Sequence, residues 1–248
     1  MTGHPSFIPD GLEAEGGDFV WRGTSDHIGP LDTETPLMRQ FHGLTSCGCF
    51  CMAAGLMQWG AVRFSQLIDT SSLLQVSEAA FAFMSDPTAI SLDQLYGEGV
   101  PEKPKVVSAF RKVRRNAMVC IEPGRWYENA LPPTRELFHL AFLVRHLTGK
   151  TFAPAFDAWI LRSTDRIRQV APRPPKGVTS ISDDPTAEDI RRYVAPYWGT
   201  PLPMALLSHD LAAAATGASY LSEMQGIDWS ANRCIVRQPR FDLPYGRQ

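Results

Sequence analysis

A chain of 248 residues, 44% apolar and 20% charged, has enough hydrophobic surface to bury a core, which excludes wholesale disorder. Five cysteines, an odd number, argue against a disulfide framework, and the opening MTGHPSFIPDGLEAEGGDF has neither the basic nor the apolar region of a signal peptide, so a cytoplasmic location is expected. The net charge of −2 conceals a segregation: residues 1–102 carry 3 basic and 13 acidic side chains, residues 103–176 carry 15 and 5, and residues 177–248 carry 6 and 8.

Residues 1–43 are polar, with Gly, Pro, Asp and Thr scattered among isolated apolar residues such as Phe7, Phe19, Trp21 and Phe41. Neither the strand period nor the helix period shows, which predicts a loop-rich, extended N-terminal arm with at most a short strand at DFVW. From Phe50 helical spacing takes over. Phe50, Ala54, Met57, Ala61, Phe64 and Ile68 share one face, while Leu56, Trp59 and Val62 make the other side apolar too. A helix apolar nearly all round belongs in the middle of a bundle, so a buried central helix is predicted over residues 50–68. Gly48, Gly55 and Gly60 would let neighbouring backbones approach it closely.

Further helices follow with their own stop signals. VSEAAFAFMSD ends before Pro87, and SLDQLYGEG has Ser91 as a candidate cap. PEKPKVVSAFRKVRRNAM sets Val106, Val107, Phe110 and Val113 on one stripe, with Arg111, Lys112, Arg114 and Arg115 assigned to the outside. PPTRELFHLAFLVRHLTG runs to Gly149, and APAFDAWILRSTDRIRQVA repeats the design with Phe156, Trp159, Ile160 and Ile167 inward. PRPPKGVTSISDDP, residues 172–185, reads as a Pro-rich linker. Beyond it TAEDIRRYVAPYWG and PMALLSHDLAAAATGASYLSEMQ read as helical, and the tail holds at most one short strand. The expected fold is therefore mainly α: an irregular multi-helix bundle with little β. An arm at 1–43, a helical core at 44–171 and the linker at 172–185 precede a C-terminal segment at 186–248 that packs on the core, in one domain rather than two.

The stretch LTSCGCFCMAAGLMQWGAV, residues 44–62, invites chemical readings. His42, Cys47, Cys49 and Cys51 offer four candidate metal ligands. Their spacing works against chelation, because on a helix Cys47 and Cys51 share a face while Cys49 points away, and structural zinc sites draw thiolates from two separate turns. Cys47 or Cys49 near a helix start could be an activated nucleophile, with His139, His146 or His209 as a distant base. The segment is long enough to span a membrane, but its Thr, Ser, Gln58 and glycines make it a weak insertion signal. The simplest reading is that cysteine serves as a small buried hydrophobe where helices cross.

No phosphate loop, dinucleotide fingerprint, H-E-x-x-H or G-x-S-x-G occurs, and no cofactor is expected. The charge segregation reads either as two segments that face each other or are plain solvated surface, or as recognition through the basic face or the acidic N-terminal region. RKVRR with its basic surroundings suits an acidic protein first and nucleic acid second, with no membrane partner expected. Trp126 and Tyr127, with Tyr197 and Trp198, are candidate aromatic anchors in contact loops. The expectation is a cytoplasmic, non-enzymatic protein-binding molecule of inhibitor, immunity or adaptor type. The alternative is a cysteine-dependent enzyme built on Cys47 or Cys49.

Overall fold

Capping chemistry sets where the first two α-helices begin. A computed structural model describes residues 4–15, 19–21, 35–93, 105–122, 132–175, 186, 188, 194–208 and 217–241. Thr35 accepts a hydrogen bond from the Met38 amide and, with Pro36 preset for the first turn, starts α1 at Pro36–Phe41. Thr45 accepts from the Gly48 amide in the same way and starts α2, Ser46–Phe64. The central helix therefore begins and ends four residues before the expected 50–68, and its first turns contain the cysteines.

Every residue of α2 except Val62 is buried. It is the axis of the molecule, packed against α3 (Ser71–Ser85), α4 (Lys105–Ile121), α5 (Thr134–Val170) and the 3-10 turns Leu12–Glu15 and Met204–Leu207. Its glycines are closely approached by side chains and not, as anticipated, by neighbouring backbones. A Cβ on Gly55 would sit 2.6 Å from Trp159 Cζ2 and 3.0 Å from Leu207 Cδ1. Only a residue without a side chain lets the Trp159 ring lie on the α2 backbone.

The helix α3 stops before Pro87, as its sequence signals. Asp86, 4% exposed, receives both Arg237 guanidinium nitrogens at 2.7 Å and the Arg240 amide at 2.9 Å. Burial pushes the Asp86 carboxyl up, but these hydrogen bonds and that of Thr88 outweigh it, and it ends below its ordinary value. The C-terminal segment is thereby fastened to the end of α3. The short helices α6 (Ala195–Trp198) and α7 (Gly217–Gln225) complete the α-helices of the described residues. The Tyr220 hydroxyl of α7 donates to Phe81 O of α3 at 2.8 Å.

α5 is two helical arms joined at Gly149, whose φ of +83° breaks the helix where the sequence places its stop. Pro154 falls soon after the break, at the start of the second arm, where proline is tolerated. Arg145 and Asp157 pair across the break through two 2.6 Å bonds. The buried Arg63 of α2 donates to Leu147 O at the end of the first arm, at 2.8 Å.

The described residues are mainly helical and contain no strand, only the isolated antiparallel bridges Leu44 with Pro172 and Ile90 with Ile235. DFVW is not a strand at its described residues, 19–21. Phe19 is buried beneath Lys105 and Arg63, and Trp21 Nε1 donates to Ser108 Oγ at 3.0 Å. Side-chain burial, not sheet pairing, holds this stretch. The expected helix after Ser91 lies outside the described residues beyond Asp93, as do linker residues 176–185 and most of TAEDIRRY. One hydrophobic cluster runs from Phe7 in the N-terminal arm to Cys234 in the tail. Among the described residues no helix is long and apolar enough to cross a membrane.

Candidate functional site

The cysteines occupy the early turns of α2, where unpaired amides and the helix dipole would favour a thiolate by up to about 1 kcal/mol. Burial acts in the opposite direction and is larger. Cys47, Cys49, Cys51, Cys120 and Cys234 are all buried. Desolvation raises each thiol above its ordinary pKa, Cys234 to about 12. Cys47 and Cys51 face the loop after α6, where their sulfurs approach Gly199 O at 3.6 Å and Pro203 O at 4.0 Å. Cys49 points to another side, as the helical spacing requires. Among the described residues no histidine hydrogen-bonds a thiol, and no three His, Cys, Asp or Glu side chains converge as metal ligands. His42 is exposed, His146 Nε2 lies 2.7 Å from Val20 O, and His209 is outside the described residues. The sulfurs do the work of small apolar groups.

The aromatic pair assigned to a contact loop points inward. Trp198 Nε1 donates to Met84 O at 2.9 Å, with its ring edge-on to Phe50. The Tyr197 hydroxyl donates to Pro175 O, and Arg173 lies over its ring. Both side chains are 5% exposed. Two large rings in a four-residue helix satisfy their polar atoms within the body and leave little surface for a partner. Trp126 and Tyr127 are outside the described residues.

The basic helix α4 divides its charges. Its buried stripe is Ala109, Phe110, Val113, Ala117, Cys120 and Ile121, and Arg114 belongs to it. Arg114 is 7% exposed and donates from Nη1 to Ser72 Oγ at 3.3 Å, so its assignment to the outer face is corrected. Spacing could have placed it: 114 is four residues after Phe110 and three before Ala117, on the same face. Arg111, Lys112 and Arg115 take the other side, with Arg115 exposed.

These three are joined by residues that sequence reasoning did not assign to the surface. Arg135 is exposed in the first turn of α5, and His139 stands one turn further on. The pKa of His139 is lowered by burial and then by the charges of Arg135 and Lys112; that of Lys112 is lowered by burial and then by Arg115. Lys112, Arg115, Arg135 and His139 thus lie within electrostatic reach across the two helices, and Arg111 shares the outer side of α4 with Arg115. The signal available in the sequence was the four-residue spacing of Arg135 and His139 at the start of a helix.

Several other cations of the basic segment bond within the molecule. Arg168 Nε donates to His42 O at 3.2 Å and Arg166 to Leu206 O at 2.8 Å, while Lys105 Nζ reaches Phe19 O at 2.5 Å. The segment thus holds the N-terminal arm by backbone carbonyls. Among the described residues no ion pair joins 1–102 to 103–176; the pairs are Arg145–Asp157, Arg168–Asp165, and Asp86 with Arg237 and Arg240. Arg111, Lys112, Arg115 and Arg135 have no carboxylate partner among the described residues. The chain matches no family model, no curated protein and no solved structure.

Proposed function

We propose that this chain is a cytoplasmic, non-enzymatic binding protein, of inhibitor, immunity or adaptor type, that docks an acidic protein on the face formed by Arg111, Lys112, Arg115 and Arg135. The observation that carries the reading is the lack of any carboxylate partner for these cations among the described residues. Arg111 and Arg115 are like charges one turn apart, and Arg135 is a cation at a helix N-terminus; both arrangements are mildly unfavourable. An acidic partner would relieve both. Such a face acts mainly on association rate and its salt dependence.

The test is capture from a nuclease-treated native extract, at low and moderate salt, by the wild type, by Arg111→Glu/Arg115→Glu/Arg135→Glu, and by Lys150→Glu. Lys150 is exposed just after the Gly149 break, at the start of the second α5 arm. One acidic protein, retained stoichiometrically, released by salt and lost only with the triple reversal, is the expected result. Capture unchanged by the triple reversal removes this face, and a nuclease-sensitive ligand would reassign it to nucleic acid.

A further inference from the structure

The segment 233–241 lies across the end of α3 with no helix or strand of its own, only the isolated bridge of Ile235 with Ile90. Just before it Asn232 is pinned to α3, its Nδ2 donating to Gln75 O at 2.9 Å. Beyond that anchor, two backbone bonds tie the segment to the stretch after α3: Val236 N to Ala89 O and Ser91 N to Cys234 O, both at 2.9 Å. Cys234 and Pro239 are buried, and the Phe241 ring lies 5.8 Å from that of Trp229 and 6.3 Å from that of Tyr220.

The charged attachments converge on Asp86. Its carboxylate receives the Arg237 guanidinium through two bonds, the Arg240 amide, and the Arg240 Nε at 3.6 Å, so one side chain at the end of α3 meets three groups of the segment. Arg237 also donates to Thr88 Oγ1, which itself donates to Asp86 at 2.8 Å. The two sides of this clasp are unequal. Asp86 is 4% exposed, whereas Arg237 is 40% and Arg240 73% exposed. Once parted from Asp86, the arginines enter water without a desolvation cost, and they repel each other three residues apart. α3 itself is held elsewhere, by α2 and α4, through buried residues that run from Leu73 to Ser85. Segments with few backbone bonds to the body open at the low end of the local stability range.

We propose that residues 233–241 form a latch that Asp86 holds shut, and that the latch opens as a unit while the helical core stays folded. Opening lifts Phe241 from the Tyr220 and Trp229 rings and brings Cys234 into solvent. The latch is independent of the basic face, and the two stand or fall separately.

Cys234 is the reporter. The full chain is treated with iodoacetamide at pH 8, and labelling of each cysteine is followed by peptide mass spectrometry. In the wild type Cys234 is expected to label about tenfold faster than Cys47, Cys49, Cys51 and Cys120, which wait for opening of the core. Asp86→Asn keeps the shape but removes the charge that strengthens the clasp, and should speed Cys234 about tenfold or more with the other four unchanged. Arg237→Gln breaks the same clasp from its half-exposed side and should act in the same direction, which keeps the test open if Asp86→Asn folds poorly. The double variant should gain little over Asp86→Asn alone, because both changes remove one interaction. A common rate for all five thiols in the wild type overturns the latch. So does a Cys234 rate that Arg237→Gln leaves unchanged, or acceleration of all five thiols together by Arg237→Gln.

Discussion

The cysteine-bearing α2 and the arginine-bearing α4 pack against each other and treat their reactive residue types in opposite ways. α2 is apolar around its whole circumference, so each thiol is enclosed whatever its position on the helix. α4 is apolar along one stripe, so Arg114 on that stripe is enclosed while Arg115, the next residue, is exposed. Residue type raised the functional question in both helices. The surface each helix had to bury answered it.

The contrast breaks most sharply if any α2 thiol is reactive. With every described cysteine buried and each thiol raised by desolvation, modification by a disulfide reagent at pH 8 requires opening of the fold. The native protein should react more than about a thousandfold slower than the denatured chain. One thiol reacting quickly near pH 6 would instead favour the enzyme reading through Cys47 or Cys49.

Packing provides the next test. Gly55→Ala forces a Cβ to within 2.6 Å of the Trp159 ring, and such overpacking costs about 3 kcal/mol at its upper range. The better helix propensity of alanine offsets about 1 kcal/mol, leaving a net loss of about 2 kcal/mol in denaturant unfolding. A neutral or stabilising effect would mean that α2 is less tightly enclosed than described.

Along α4 the comparison narrows to neighbouring arginines. Arg114→Ala removes a buried stem and the bond to Ser72, with an expected loss of about 1.5 kcal/mol. Arg111→Ala or Arg115→Ala relieves a like-charge pair and should leave stability unchanged or raise it by about 0.3 kcal/mol. If all three lose the same amount, the division between inner and outer charges is wrong.

The fold class was legible because the strongest periodic signals are the ones that decide it. The all-round apolar run at 50–64, the stop before Pro87 and the break at Gly149 each have a local cause that sequence displays. The start of α2 was misplaced because Ser46, Cys47 and Cys49 lack the bulk of core residues, although Thr45 is a sound cap. The site was harder to read. Tyr197 and Trp198 find their polar partners on Pro175 and Met84, the latter 114 residues away from Trp198, and no local pattern announces such a partner. The joining of Arg135 to Lys112 across two helices is likewise a tertiary fact. Arg114, by contrast, was readable from its spacing.

The smallest effect sharpens the basic face itself. His139 has its pKa below the ordinary 6.5, first because it is half-buried and then because Arg135 and Lys112 repel its proton. The unfolded chain therefore protonates this histidine first as pH falls. Stability held above pH 6.5 is lost progressively from there down to the folded value, with no further change below it. Thermal melts at pH 7.5 and 5.5 should show a smaller acid-induced drop for His139→Gln than for the wild type, and Arg135→Ala should narrow the drop by returning the histidine towards its ordinary value. Partner binding responds at the lower end of that window, where the folded protein itself takes up the proton. Each folded His139 that protonates adds a positive charge to the face, so affinity for an acidic protein should rise where the stability loss levels off, and His139→Gln should remove both trends together. If acidification weakens stability without strengthening binding, His139 lies beside the contact surface and not within it.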